Sequence, residues 1–270
     1  MAEQLVILVR GVGDIGSAIA HRLFGEGYGV VITDEPKPTT TRRGMAFADA
    51  VFDGRAMLEG VQAMRADSLQ QVKSMLVARE AIPVYVRSWG PLLEQLQPQV
   101  LVDARMRKHS RPEVQRGYAR LTIGLGPSLV VGRNADVVVE TSWDRLGTVL
   151  TEGASLPLAG EPREIEGHAR DRYRYAQCDG VFRTKFRIGD VVRQGQPIAE
   201  IGSTVLTAPL DGVLRGLTRD GVPVNTMTKV IEIDPRGMAA DAREIAERPR
   251  RIAEGVLTAI RMRQNGALGK

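Results

Sequence analysis

Gly11-Val12-Gly13-Asp14-Ile15-Gly16 fits the spacing G-x-G-x-x-G, a pattern whose chemistry lies in the backbone rather than in side chains. Gly11 permits a tight turn. Gly13 removes a side chain so that backbone can approach a pyrophosphate, and Gly16 lets the following helix pack against the strand. The helix N-terminus then presents free N–H groups to the anion. Asp34, 18 residues beyond Gly16, is placed to accept hydrogen bonds from a ribose diol. The pattern is weak by itself. Here it follows an apolar strand, opens an amphipathic helix and leads to a second strand ending at Asp34, which is the context that gives it meaning. The alternative is a degenerate domain that keeps the turn for packing alone.

Other residues near this turn have the right types for a site. Arg10 precedes it and offers either a phosphate charge or a structural salt bridge. Arg42 and Arg43 follow the second strand, within reach of a phosphate or carboxylate at the carboxyl edge of a parallel sheet. Asp103 ends a further strand, with Arg105, Arg107 and Lys108 just after it, as a site or as plain surface. Gly124-Leu125-Gly126-Pro127 is a second glycine turn, which either approaches the same ligand or only reverses the chain. Cys178 is the single cysteine, which excludes an internal disulfide and a cysteine-rich metal site; it reads as structural. His21, His109 and His168 stand far apart, without metal-ligand spacing, so no metal is expected.

The elements that must position these residues alternate between strand and helix. Strands are expected at 4–9, 29–33, 82–86, 100–103, 121–123 and 136–140, a helix at 15–24 and another at 68–79, and a surface loop at 36–44. This alternation predicts an α/β protein, with a Rossmann-like parallel-sheet domain over residues 1–165. Beyond it the helical period disappears and a repeat with an offset of 32 residues takes over. Asp179-Gly180-Val181 matches Asp211-Gly212-Val213, and Ile198-Ala199-Glu200-Ile201 matches Val230-Ile231-Glu232-Ile233. Two copies of a unit too small to bury a core alone should pack on each other, giving a small all-β domain over residues 166–236. A C-terminal helix and tail follow at 237–270, with Ile252, Val256 and Ile260 on one stripe.

The composition narrows the class. Arg outnumbers Lys 31 to 6 and the net charge is +5, but basic residues are scattered and aromatics are 4%, so no nucleic-acid partner is expected. No apolar run approaches the length of a membrane helix. The N-terminal apolar stretch runs into the glycine turn without a basic leader, so it reads as a strand and the expected location is cytoplasmic.

Several stretches together carry a resemblance: VRGVGDIGSAIAHRL, RRGMAFADAVFDG, LVDARMRK, IGLGPSLVVGRNADVVVET, CDGVFRTKFRIGDVVRQGQPIAEIG and TAPLDGVLRGLTRDG, in this order. In these the chain resembles the YqeB-type accessory proteins of selenium-dependent molybdenum hydroxylase systems. The resemblance implies a maturation role, with a molybdenum hydroxylase or its cofactor-biosynthesis proteins as partners, homo-oligomerisation open, and no catalytic residue. A molybdopterin-type dinucleotide and NAD(P) suit the glycine turn equally. The second half resembles a biotinyl/lipoyl-type barrel-sandwich domain, yet no lysine occurs between Phe186 and Thr228, so the usual amide-linked carrier is excluded. The rival expectation is an NAD(P)-dependent oxidoreductase acting on a small substrate. Against it, no convincing proton-transfer pair stands out; Asp103 with Lys108 is the best candidate.

Overall fold

A computed structural model describes residues 5–107, 111–158, 162–237 and 242–268. The apolar run before the glycine turn forms β1 (Val6–Arg10), and α1 (Asp14–Gly25) leads to β2 (Gly29–Thr33). After α2 (Ala50–Asp53) come β3 (Arg55–Leu58), β4 (Val61–Ala66), α3 (Leu69–Ala78), β5 (Ile82–Tyr85), α4 (Gly90–Leu96) and β6 (Val100–Asp103). The sheet is completed by β7 (Leu121–Leu125), β8 (Val137–Val139) and β9 (Val149–Leu150). Its nine strands lie in the order β3-β4-β5-β2-β1-β6-β7-β8-β9. All neighbours from β4 to β8 pair in parallel, while β3 and β9 add antiparallel edges. The chain moves outward from β1 to one side through β2 and then crosses to β6 on the other. In open α/β sheets such a reversal leaves a crevice at the carboxyl ends of the strands, here at Arg10 and Asp103.

Period-2 alternation sorts the strand residues between two cores. Ile7 and Val9 of β1 face α1, whose Ile19 and Leu23 are wholly buried, whereas Leu8 faces α3 and α4 through Val72 and Leu92. Each such side chain contributes roughly 1.5–3 kcal/mol relative to exposure. Ser68 starts α3 by accepting the Gln71 N–H at 3.2 Å, as an N-cap should. The last helix, α5 (Glu247–Gln264), buries Ile252, Val256 and Ile260 in the same core as Ile7 and Ile19. It is thus a covering helix of the first sheet, and the β unit is an excursion between β9 and α5.

That unit contains β10 (Tyr173–Tyr175), β11 (Gly180–Thr184), β12 (Val191–Val192), β13 (Pro197–Ile201), β14 (Thr204–Thr207), β15 (Gly212–Leu217), β16 (Pro223–Val224) and β17 (Lys229–Asp234). The sheets are β10-β17-β15-β12 and β14-β13-β11-β16. Shifting every residue by 32 converts one order into the other, so each copy lends strands to the other's sheet. Neither copy can close alone. The symmetry reaches single bonds: Asp179 accepts the Thr226 N–H at 2.6 Å, and Asp211 accepts the Gln194 N–H at 2.7 Å, both pairs related by the same offset.

One expectation about the first half of the chain is corrected, and one element there was not foreseen. Residues 36–44 are not a free surface loop. Thr41 is buried and its carbonyl accepts the Leu217 N–H at 2.9 Å, and a Cβ on Gly44 would stand 2.6 Å from the Ala242 carbonyl oxygen. The segment is the seat on which the β unit rests. The β3–β4 hairpin was also not anticipated, because Met57 and Met64 are exposed on it and blur the alternation.

Candidate functional site

The glycine turn is fixed from three sides. Gly11 takes φ of +113°, a backbone region that favours glycine, and donates its N–H to the Thr33 carbonyl at 2.9 Å. Asp34 accepts the Val12 N–H on one oxygen and the Glu35 N–H on the other, both at 2.7 Å. Burial pushes the Asp34 carboxyl up from its ordinary value, against those two backbone bonds. The buried Ser17 hydroxyl donates to the Val12 carbonyl at 2.9 Å and accepts the Phe47 N–H at 2.8 Å.

The three glycines have different reasons to be glycine. A Cβ on Gly16 would stand 1.9 Å from the Gly11 carbonyl oxygen, so helix and strand touch there through backbone alone. A Cβ on Gly11 would come within 3.0 Å of the Ala104 backbone. Gly13 differs. Its φ of −65° and ψ of −179° are open to any residue, and the nearest atom to its Cβ position is Thr40 Oγ1 at 4.0 Å. Nothing in the protein requires glycine at Gly13, which begins a helix with no side-chain cap. Asp14 opens α1, with its Oδ1 accepting the Ile15 N–H at 3.0 Å and its Oδ2 facing Arg42 at 3.1 Å.

Across the crevice, at the ends of β6 and β7, charged groups converge. Asp103 receives both Nε and Nη2 of Arg105, at 2.8 and 2.7 Å. Glu113 accepts from Arg105 Nη2 at 2.8 Å and from Arg107, and Arg10 Nη1 approaches it at 3.4 Å. Hydrogen bonding from Arg105 and the surrounding positive charge, working against burial, bring the Glu113 carboxyl down to about 2. Arg10 itself is buried. Its Nη1 donates to Gln115 Oε1 at 2.7 Å and its guanidinium lies 3.8 Å from the Trp89 ring centroid. Burial, and then the charge of Arg105, lower its pKa from the ordinary value. Asp103, Arg105, Met106, Glu113, Gly124 and Gly126 share in lining one narrow cleft.

These contacts sort the residues expected at the site. Gly11, Gly13, Asp14, Gly16 and Asp34 come together at the turn, and Asp103, Gly124 and Gly126 meet at the adjoining cleft. Arg42 meets the turn through the bond that its Nη1 donates to Asp14 Oδ2 at 3.1 Å, with the rest of its guanidinium turned to the β unit, and Arg43 faces neither place. Arg42 binds both oxygens of the wholly buried Glu232 at 2.9 Å, and Arg43 is held by Asp49 and by the Leu217 carbonyl. Glu232 is also bound by Lys229 at 2.8 Å and Arg172 at 3.4 Å. Burial opposes the charge on Glu232, but Arg42 and Lys229 hold it far below the usual carboxylate range. Both arginines therefore clamp the β unit to the sheet. Arg10 is already engaged by Gln115 and Trp89. Asp103 has both oxygens taken by Arg105, so it does not serve as the proton carrier considered above; its suggested partner Lys108 lies outside the described residues. Glu113, Gln115 and Trp89 were missed, since nothing in their local sequence points to the crevice.

No family model matches the chain. The uncharacterized protein YqeB of Escherichia coli (strain K12) is 39% identical over 263 residues, covering 96% of this chain and 48% of that protein. The chain thus spans about half the length of the curated relative it matches. Similar solved structures include an aspartoacylase family protein from Mesorhizobium loti, at 12% identity, 86% and 85% coverage of the two chains and a TM-score of 0.26. The product-bound ectoine utilization protein EutE from Ruegeria pomeroyi gives 12% identity, 85% coverage of each chain and 0.24. A succinylglutamate desuccinylase from Silicibacter sp. TM1040 gives 12%, coverage of 86% and 85%, and 0.25. None of these three neighbours is a molybdenum hydroxylase maturation protein or an NAD(P)-dependent oxidoreductase, so neither functional expectation finds support among them and both are withdrawn. At such TM-scores the likeness carries no activity to this chain. Among the described residues, no group of three or more His, Cys, Asp or Glu is placed to hold a metal, and no helix is long and apolar enough to cross a membrane.

Proposed function

We propose that the chain holds a phosphate ester bearing a vicinal diol, of the ribosyl pyrophosphate type, in the crevice at the carboxyl ends of β1 and β6. The observation that carries this reading is Gly13, whose missing side chain leaves space that the protein does not fill, at the open start of α1. A helix N-terminus and a bare backbone suit a phosphate, and Asp34 at the end of β2 suits the hydroxyls. The finer fold reading agrees. The order β5-β2-β1-β6-β7-β8 supports reading the sheet as Rossmann-type, and the two intertwined sheets support reading residues 166–236 as a barrel-sandwich unit without a carrier lysine. Pterin dinucleotides and nicotinamide dinucleotides share the ribosyl pyrophosphate and are two candidate ligands, apart from the roles withdrawn above. Calorimetric titration with ADP-ribose and with inorganic pyrophosphate tests the proposal. Saturable binding at one site per chain, tighter for ADP-ribose, is expected; no heat with either ligand would end it.

A further inference from the structure

Three guanidiniums converge on one carboxylate beside the glycine turn. Arg10, Arg105 and Arg107 all reach Glu113. The place is continuous with the crevice, because a Cβ on Gly11 would stand 3.1 Å from the Arg105 backbone nitrogen. The side chains of Glu113 and Arg107 are 37% and 45% exposed, so this ion pair sits at the mouth of the cleft. Ion pairs so placed are weak in water. The backbone around Glu113 is anchored separately: Asn134 Nδ2 donates to the Pro112 and Glu113 carbonyls at 3.2 and 3.3 Å, and the Gln115 N–H meets the Asn134 carbonyl at 2.6 Å. The Glu113 side chain can therefore swing out by rotation about its own bonds while the segment stays in place. Asp103 would remain on Arg105, and Gln115 and the Trp89 face would remain on Arg10. Displacement then leaves the charges of Arg10 and Arg107 without the Glu113 carboxylate, in a geometry that already grips carboxylate oxygens.

We propose that Arg10, Arg105 and Arg107 form an anion subsite next to the glycine turn, occupied by the Glu113 side chain until a second anionic oxygen group of the ligand displaces it. The inference rests on the crevice being a ligand site and adds that the ligand is anionic at two places. Its chemistry is that of a phosphate or a carboxylate, which share the two-oxygen edge that a guanidinium fork recognises.

The test uses the full chain with Trp143→Phe, so that Trp89 alone reports on Arg10 by fluorescence. Inorganic phosphate and malonate are titrated separately into this protein and into its Glu113→Gln variant, with thermal unfolding confirming that both are folded. The expected result is at least tenfold tighter binding of one anion by Glu113→Gln, a gain lost when Arg107→Gln is added and weakened by raised salt. The anion that gains most identifies the group. Equal affinities in the two proteins, or a gain that survives Arg107→Gln, overturn the subsite. If the gain appears while ADP-ribose does not bind at all, the subsite stands and the ribosyl pyrophosphate reading falls.

Discussion

Replacing Gly13 and Gly16 in turn by alanine separates a glycine kept for a ligand from a glycine kept for packing. At Gly16 the new methyl would lie 1.9 Å from the Gly11 carbonyl oxygen, less than any real contact. The turn or the helix must move by more than 1 Å, and overpacking of this kind costs about 1–3 kcal/mol or more. At Gly13 the methyl meets nothing closer than Thr40 Oγ1 at 4.0 Å, and the backbone angles already suit alanine. Two small effects oppose each other there. The unfolded chain loses freedom, a gain of about 0.4–1 kcal/mol, while alanine is a poorer N-cap than glycine by about the same amount. Gly13→Ala should thus melt within about 2–4 °C of the unmodified protein, and Gly16→Ala well below it. Binding should behave in the opposite way. The Gly13 methyl stands where a phosphate would approach the backbone, and losing one charge-assisted hydrogen bond costs about 1.5–3 kcal/mol, roughly ten- to a hundredfold in Kd. Thermal unfolding and calorimetry with ADP-ribose measure both quantities. Unchanged ADP-ribose affinity in a well-folded Gly13→Ala, or a loss of stability as large as that of Gly16→Ala, would refute the reasoning.

Three further perturbations probe the frame around the site. Glu232→Gln strands Arg42, Arg172 and Lys229 around a wholly buried position and should cost about 3–5 kcal/mol, seen as a lowered Tm and faster proteolysis between the sheet and the β unit. Gly255→Ala drives a methyl to 2.3 Å from the Gly147 carbonyl oxygen; a loss of about 1–3 kcal/mol is expected, and an unchanged melting curve would contradict the close packing of α5. Glu113 has a folded pKa of about 2 against an ordinary 4.5, so its contribution is fully present above pH 4.5 and is lost as pH falls from there toward 2. Because the side chain is 37% exposed, solvent screening reduces that contribution to about 1 kcal/mol or less. Denaturant midpoints measured across that window should fall less steeply in Glu113→Gln, and parallel curves would argue against the ion-pair cluster.

The sequence revealed backbone-determined features well and side-chain partnerships poorly. Strands 29–33 and 100–103 appear with the bounds expected, since each is a short apolar run between clear stops. The helix expected at 68–79 appears as α3 (Leu69–Ala78), with the Ser68 cap found only in the structure. The offset of 32 residues foretold two copies packed on each other, but not that they exchange strands or that β10 and β14 belong to the repeat, because Tyr173–Tyr175 shares no residue type with its counterpart at 205–207. The contacts of Arg42 and Arg43 with the β unit were not legible for a different reason. Their partners Glu232 and Leu217 lie more than 170 residues away, and no local pattern reveals a contact at that separation. The same distance effect hid the Arg10 contacts with Glu113 and Gln115. Glu200 and Glu232, equivalent in the repeat, show how position in the fold decides such roles. The first is exposed, and the second is buried under Arg42.

The central claim, that the backbone at the start of α1 holds a phosphate, is tested most directly by following amide signals in a ¹⁵N–¹H NMR titration with ADP-ribose. The account predicts that the N–H resonances of Gly13 and Asp14 shift first and furthest, with Glu35 beside Asp34 responding to the ribose. Saturable binding that leaves Gly13 and Asp14 unmoved, or shifts confined to the β unit, would contradict it.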